Sequence, residues 1–246
     1  MFQPRVALAS LSGEADAEWA RTGSEFAGMA FLGGIALDAA SREAARELVA
    51  RDRNEFLPDD PFAFIDAQLA SLAGTDISAG FNVRSATVDP VREAARICAE
   101  HDAVVEVNAH CRQDELCAVG CGESLLRDTD RLADYVAAAA ENGATVSVKL
   151  RTEVDGVDLV ETARRVEAAG ADILHVDAMD SEEMVAAVVD ATDCFVVANN
   201  GVRDRATVRE YLDHGADAVS VGRPSDDPRV LDRVRDATVE WFASPA

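Results

Sequence analysis

Lysine is almost missing from this sequence. Lys149 stands alone among 23 basic residues, against 46 acidic ones, for a net charge of −23. With no basic stretch, electrostatic attraction to nucleic acid has little to work with in ordinary buffer. Long hydrophobic runs are missing too. Nothing approaches the roughly 18 uncharged apolar residues that a membrane span needs, so no membrane association is expected. The opening residues lack a basic segment followed by a long apolar one, so no signal peptide is read and a cytoplasmic location is expected. No G-x-G-x-x-G fingerprint follows the first apolar run, which removes the main support for an open dinucleotide-binding sheet. The five cysteines of a cytoplasmic chain imply free thiols rather than a disulfide frame.

The acids call for their own explanation. A genome rich in arginine codons accounts for the missing lysine but not for the carboxylates. A solvated, salt-adapted surface of the halophilic kind accounts for both. Beneath that surface, an apolar fraction of 48% over 246 residues is ample for one large core.

Short β-branched runs alternate with amphipathic helical patterns along the chain. Strands are expected at 5–10, 29–37, 77–84, 104–110, 145–151, 173–178, 194–200 and 218–223. Helical patterns lie between them, for example over 90–100, 129–141, 158–169, 204–214 and 228–242, with an extra helix over 58–74. Asp89, Asp128, Ser181 and Asp204 read as N-caps, while Gly143 and Gly170 read as helix ends. Eight such units at this length predict a TIM-type (β/α)8 barrel of the α/β class, a single domain over 1–246.

Strand side chains alternate, so one parity packs under the helices and the other faces the lumen. Val105, Val107, Val146, Val148, Leu150, Leu174 and Val176 take the apolar parity. That sends Glu106, Asn108, His110, Ser147, Lys149, Arg151, His175 and Asp177 inward. Burying such groups without partners costs a few kcal/mol each, on the order of the usual amide penalty. A polar ligand at the carboxyl ends of the strands explains them together. Asn199-Asn200-Gly201 and Gly222-Arg223 end the last two strands, where this fold commonly binds phosphate. Glycine there lets backbone N–H groups approach an anion, and arginine adds a forked cation.

These residues resemble the flavin-dependent dihydrouridine synthases and their relatives, the dihydroorotate and dihydropyrimidine dehydrogenases. The likeness runs from about Ile77 to Arg223. Asn108-Ala109-His110-Cys111-Arg112 is similar to the family's Asn-x-Gly-Cys-Pro strand end, and Lys149-Leu150-Arg151 to its Lys-x-Arg. Gly120 to Leu126 resembles its glycine-rich stretch before a Leu-Leu pair, and His175 its strand-six histidine. Ala198 to Gly201 and Gly215 to Arg223 resemble its last two strand ends. The first two strands match loosely.

The resemblance implies an FMN-dependent oxidoreductase that reduces the C5–C6 double bond of a uracil-type pyrimidine with electrons from NADPH or NADH. It implies a cofactor phosphate on Gly201, Gly222 and Arg223, with Asn199 and His175 nearby. Asn82 stands where the family has a glutamine bonding the flavin ring, Asn108 lies beside it, and Lys149 faces the N1/O2 edge. Cys111 becomes the proton donor, with His110 as the alternative, and Arg151 and Arg112 fall on the substrate side. No metal and no protein partner are expected.

The sequence departs from the family pattern in several places. His110 replaces a glycine, Arg112 a proline, and Val176-Asp177 the Gly-Arg that follows the family's histidine. The family's helical RNA-binding domain is not read after the barrel, so the pyrimidine can be free or within tRNA. A dihydroorotate or dihydropyrimidine dehydrogenase-like activity on a free small molecule is therefore a second reading. Two others are a flavin-free phosphate-binding lyase or isomerase using Lys149 as a Schiff-base former, and a barrel that binds without catalysis. Cys111-x5-Cys117-x3-Cys121 with His110 matches neither common zinc nor ferredoxin spacing.

Overall fold

The computed structural model describes residues 2–243, so Met1 and the last three positions of the expected 1–246 domain lie outside the described residues. In chain order its elements are β1 Val6–Leu8, α1 Ala17–Gly23, β2 Met29–Ala36, α2 Ala39–Val49, α3 Pro61–Ser71, β3 Ser78–Arg84, α4 Val88–Glu100 and β4 Val104–Asn108. There follow α5 Asp114–Ala118, α6 Thr129–Ala140, β5 Thr145–Arg151, α7 Leu159–Ala168, β6 Ile173–Asp177, α8 Glu183–Val189, β7 Phe195–Asn199, α9 Arg205–Asp213, β8 Ala218–Val221 and α10 Pro228–Ala243. Each strand pairs in parallel with its sequence neighbours, and β8 returns to β1, closing the barrel.

The alternation read in the sequence sets the two faces. Val105, Val107, Val146, Val148, Leu150, Leu174 and Val176 lie in the large core between strands and helices. The lower lumen is filled by a separate cluster that includes Phe2, Ala7, Met29, Phe31, Ile173, Phe195, Val197 and Ala218. Only the foot of the lumen is hydrocarbon; the layers above it are polar. On the helix side, α6 buries Leu132, Tyr135 and Val136 at helical spacing. Each such side chain contributes about 1.5–3 kcal/mol relative to exposure.

Aspartates start most of these helices. Asp38, Asp60, Asp128, Asp158 and Asp204 each accept backbone N–H groups of the first turn. Two expected caps shift. Thr87 rather than Asp89 precedes α4, leaving Asp89 inside the first turn, and Glu182 rather than Ser181 precedes α8 without a side-chain cap bond. Strand ends also retreat by one or two residues. β4 stops at Asn108 because that side chain, through Oδ1, takes the N–H groups of His110 and Cys111 and turns the chain out of the ladder. Among the described residues no helix is long and apolar enough to cross a membrane.

Candidate active site

A buried hydrogen-bonded belt crosses the lumen above its hydrocarbon foot. Glu106, fully enclosed, is its hub. Its Oε1 accepts from Asn82 Nδ2 at 2.7 Å, and its Oε2 meets Ser147 Oγ at 3.1 Å and His175 Nδ1 at 2.8 Å. Because a carboxylate only accepts, His175 donates through Nδ1, and its Nε2 takes the Ser220 hydroxyl at 2.8 Å. Asn199 Nδ2 in turn donates to Ser220 Oγ at 2.7 Å. On the other side Asn108 Nδ2 donates to Asn82 Oδ1 at 2.9 Å. Asn108 Oδ1 then accepts the Cys111 and His110 N–H groups at 3.0 and 3.3 Å. One chain of bonds therefore runs from the Cys111 turn to the end of β7.

Burial pushes the Glu106 carboxyl up, but the His175 ring, Lys149 and the hydrogen bonds outweigh it and hold the group at about 2. Burial lowers His175 below its ordinary value against the pull of Glu106. The belt thus carries one fixed negative charge at the centre of the barrel.

Lys149 sits in register with Asn108 on one side and His175 on the other. Its side chain is 3% exposed and has no hydrogen-bond or ion-pair partner among the described residues. Burial lowers its pKa, opposed by Glu106 and Asp177. Its Nζ is not among the fully buried unpartnered atoms, so the amine opens onto the mouth, where an electron-rich group can meet it.

Above Lys149, His110 Nε2 lies 2.7 Å from Asp177 Oδ2, joining the ends of β4 and β6. Burial lowers the His110 pKa, with Lys149 adding to it and Asp177 opposing. Cys111 is half-buried beside it, and its carbonyl accepts the Glu123 N–H at 2.8 Å. Gly122 makes this turn possible: its φ is +62°, and a Cβ there would fall 2.1 Å from the Cys111 carbonyl oxygen.

At the far rim, Gly201 has φ +64°, and an added Cβ would meet only Arg203 Nη1, at 3.8 Å. An added Cβ at Gly222 would meet nothing within 4 Å. Arg223 is exposed beside it with no ion-pair partner among the described residues. Arg151 is buried, bonds Glu123 at 3.2 Å and keeps its Nε unpartnered. It lines a cavity of about 260 Å3 between the loops after β5 and β6. Arg112 is exposed and makes no hydrogen bond or ion pair among the described residues.

Two of the expected site residues already have protein partners. Asn82 and His175, expected at a ligand, are wholly enclosed, and each has both ends of its polar group engaged within the belt. Glu106 and Asp177 were legible in the sequence as inward-facing but had no assigned role, and Ser220 had no reading there; the partners these three find depend on contacts across strands. The three clustered thiols differ in setting: Cys117 Sγ donates to the Cys111 carbonyl at 3.5 Å, whereas Cys121 is buried against Ala44, Leu48 and Leu116, and burial pushes it up to about 12. Cys98 is fully buried and likewise pushed up to about 12, whereas Cys194 is half-buried, its thiol on the Ala171 carbonyl.

Residues 80–244, more than half of the chain, match the family model described as dihydrouridine synthase. The chain belongs to the dihydrouridine synthase family. Members of this family are flavin-dependent oxidoreductases acting on a C5–C6 double bond. A probable tRNA-dihydrouridine synthase of Rhodobacter capsulatus is 29% identical over 90% of this chain and 68% of its own length. An uncharacterized protein of Methanocaldococcus jannaschii is 26% identical over 89% of this chain and 88% of its own. Among solved structures, a chain of the tryptophan synthase complex from Pyrococcus furiosus superposes with a TM-score of 0.60 at 14% identity, covering 99% of this chain and all of that one, a likeness of fold alone. As a dihydrouridine synthase-family barrel, this chain is a flavin-type oxidoreductase. The family match begins inside β3, in keeping with the loose likeness of its first two strands.

Proposed function

We propose that this chain binds FMN across the barrel mouth and reduces the C5–C6 double bond of uridine in tRNA, drawing electrons from NADPH. The carrying observation is Lys149, a buried cation without a protein partner, which fits the electron-rich edge of a flat ring. The rim fits the other end of such a cofactor. Gly201 and Gly222 leave open space at two adjacent strand ends, and Arg223 is free to clamp a phosphate. Asn199 keeps its side-chain Oδ1, which has no partner among the described residues, for the same region, and Asn108 braces the floor between Lys149 and the Cys111 turn. When bound, FMN supplies the hydride for C6 and is reloaded from the nicotinamide donor.

The protein's own part is positional and protonic. Lys149 holds a fixed positive charge that no reorganisation has to create. Cys111 holds a proton on Sγ and delivers it to C5. His110 is the weaker donor because burial favours its neutral ring, which accepts rather than gives at neutral pH. Arg151 and Arg112 face the substrate. The Rhodobacter capsulatus relative, named for tRNA, supports the choice of tRNA over a free pyrimidine. We place the enzyme in the cytoplasm as a single barrel domain.

The test compares dihydrouridine in tRNA from a deletion strain and its parent by mass spectrometry. Loss of dihydrouridine at one or more positions, restored by the wild-type gene but not by a Cys111→Ala copy, is expected. Unchanged content would contradict the tRNA assignment.

A further inference from the structure

Two of the places where this sequence departs from its family pattern meet in space. His110 stands where the pattern has glycine and Asp177 where it has arginine, and the two side chains are 2.7 Å apart. Neither departure explains itself alone. A glycine at 110 would leave the Asp177 carboxylate without its ring partner, and an arginine at 177 would offer His110 Nε2–H no acceptor.

The pair has a defined polarity. The Asp177 carboxylate only accepts, so the proton of the neutral His110 ring lies on Nε2 and Nδ1 carries a lone pair. Asp177 is itself fixed, since its Oδ1 accepts the Met179 N–H at 3.2 Å. The His110 backbone is held by Asn108. The ring is 30% exposed at the mouth, and Nδ1 has no partner among the described residues. Around it the side-chain oxygens of Glu106, Asn108 and Asp177 are already engaged, while Lys149 and Arg112 offer donors only. His110 Nδ1 is therefore an unoccupied acceptor on a partly exposed side chain.

We propose that the His110–Asp177 pair is a specificity-determining element, with His110 Nδ1 accepting a hydrogen bond from the imide N3–H of the uracil ring and Asp177 positioning it. This rests on the uridine-reducing reading above. A uracil imide edge offers one N–H between two carbonyls, so one fixed acceptor beside cationic donors matches it. A site that hydrogen-bonds a ring N–H rejects the ring lacking it, because the acceptor is left unpaired.

The experiment uses nitrogen-15 NMR of the full chain, labelled at its four histidines, with FMN occupancy read from the yellow absorption of the same sample. In the wild type at neutral pH, His110 shows the Nε2–H tautomer. Asp177→Asn places an amide donor against Nε2 and moves the proton to Nδ1. Uridine shifts the Nδ1 resonance and binds about tenfold or more tighter than 3-methyluridine, by the usual value of one such hydrogen bond. His110→Gly and Asp177→Asn each bring the two nucleosides to near-equal affinity. An Nδ1–H or doubly protonated His110 in the wild type overturns the proposal. So does equal affinity in the wild type, absence of uridine binding, or discrimination that survives both variants. A sample that stays colourless with FMN but has the stated tautomer and discrimination counts against the flavin reading and not against the pair.

Discussion

Cys111 shows most plainly what a single side chain contributes here. Its backbone N–H is fixed by Asn108 and its carbonyl by Glu123, so the thiol is carried on a pinned turn at the mouth. Replacing it with alanine removes the proton and leaves the turn. Turnover is expected to fall by about 10²–10⁴, the usual worth of a general acid, with FMN still bound; a steady-state assay beside the flavin spectrum checks both. Glu106 behaves differently, because it is structural before it is anything else. Glu106→Ala orphans Asn82, Ser147 and His175 together and is expected to cost about 3–5 kcal/mol, read from urea unfolding. The same group sets an acid limb. A carboxylate held at about 2 when folded contributes stability that is present above the unfolded value of about 4.3 and is lost as pH falls toward 2. His110 and His175, both lowered by burial, act in the same direction at higher pH. Below about 6.5 the unfolded chain takes up protons that the folded interior refuses. Unfolding free energy is therefore expected to decline in two stages from neutral to acid pH, the second reduced but not abolished in Glu106→Ala, because Asp38 and Asp177 are also held below the ordinary carboxylate range.

Among the elements, strands and loops were unequally legible in sequence. The inward parity of Glu106, Lys149 and His175 follows from alternation alone, and the structure places all three in or above the lumen. What alternation lacks is depth. It could not say that Asn82 and His175 lie below the mouth with their bonds already made, while Lys149 is left without a partner. Nor could it bring His110 to Asp177, since the contact spans 67 residues and depends on the stagger of β4, β5 and β6. Strand ends failed for a related reason. Asn108 continues the apolar–polar pattern, yet its amide captures the following backbone and stops the ladder. Gly122 is the element-scale test. Gly122→Ala drives a methyl into the Cys111 carbonyl, so the turn must shift. Turnover is expected to drop at least tenfold while the loss of global stability stays within about 1–3 kcal/mol; kinetics and thermal unfolding measured together check the split.

At the scale of the whole molecule, the eight-unit barrel was readable because every helix–strand alternation repeats one rule, and errors at single boundaries do not change closure. The charge of −23 is a property of the surface rather than of the fold. Self-repulsion on that scale opposes compactness and is screened by salt. The unfolding midpoint is therefore expected to rise steadily from dilute buffer to molar potassium chloride, and a flat or falling midpoint in a salt-series melt would remove the salt-adapted reading. The central claim is narrower: Lys149 and the Gly201, Gly222 and Arg223 rim together form a place for a flat, phosphorylated ring system. Equilibrium titration of FMN and of phosphate-free riboflavin into the protein, followed by flavin fluorescence, tests it directly. One-to-one FMN binding is predicted, weakened about tenfold or more in riboflavin and in Arg223→Ala and further in Lys149→Met. A wild-type chain that binds neither flavin, or binds both equally with Lys149→Met unaffected, would contradict it.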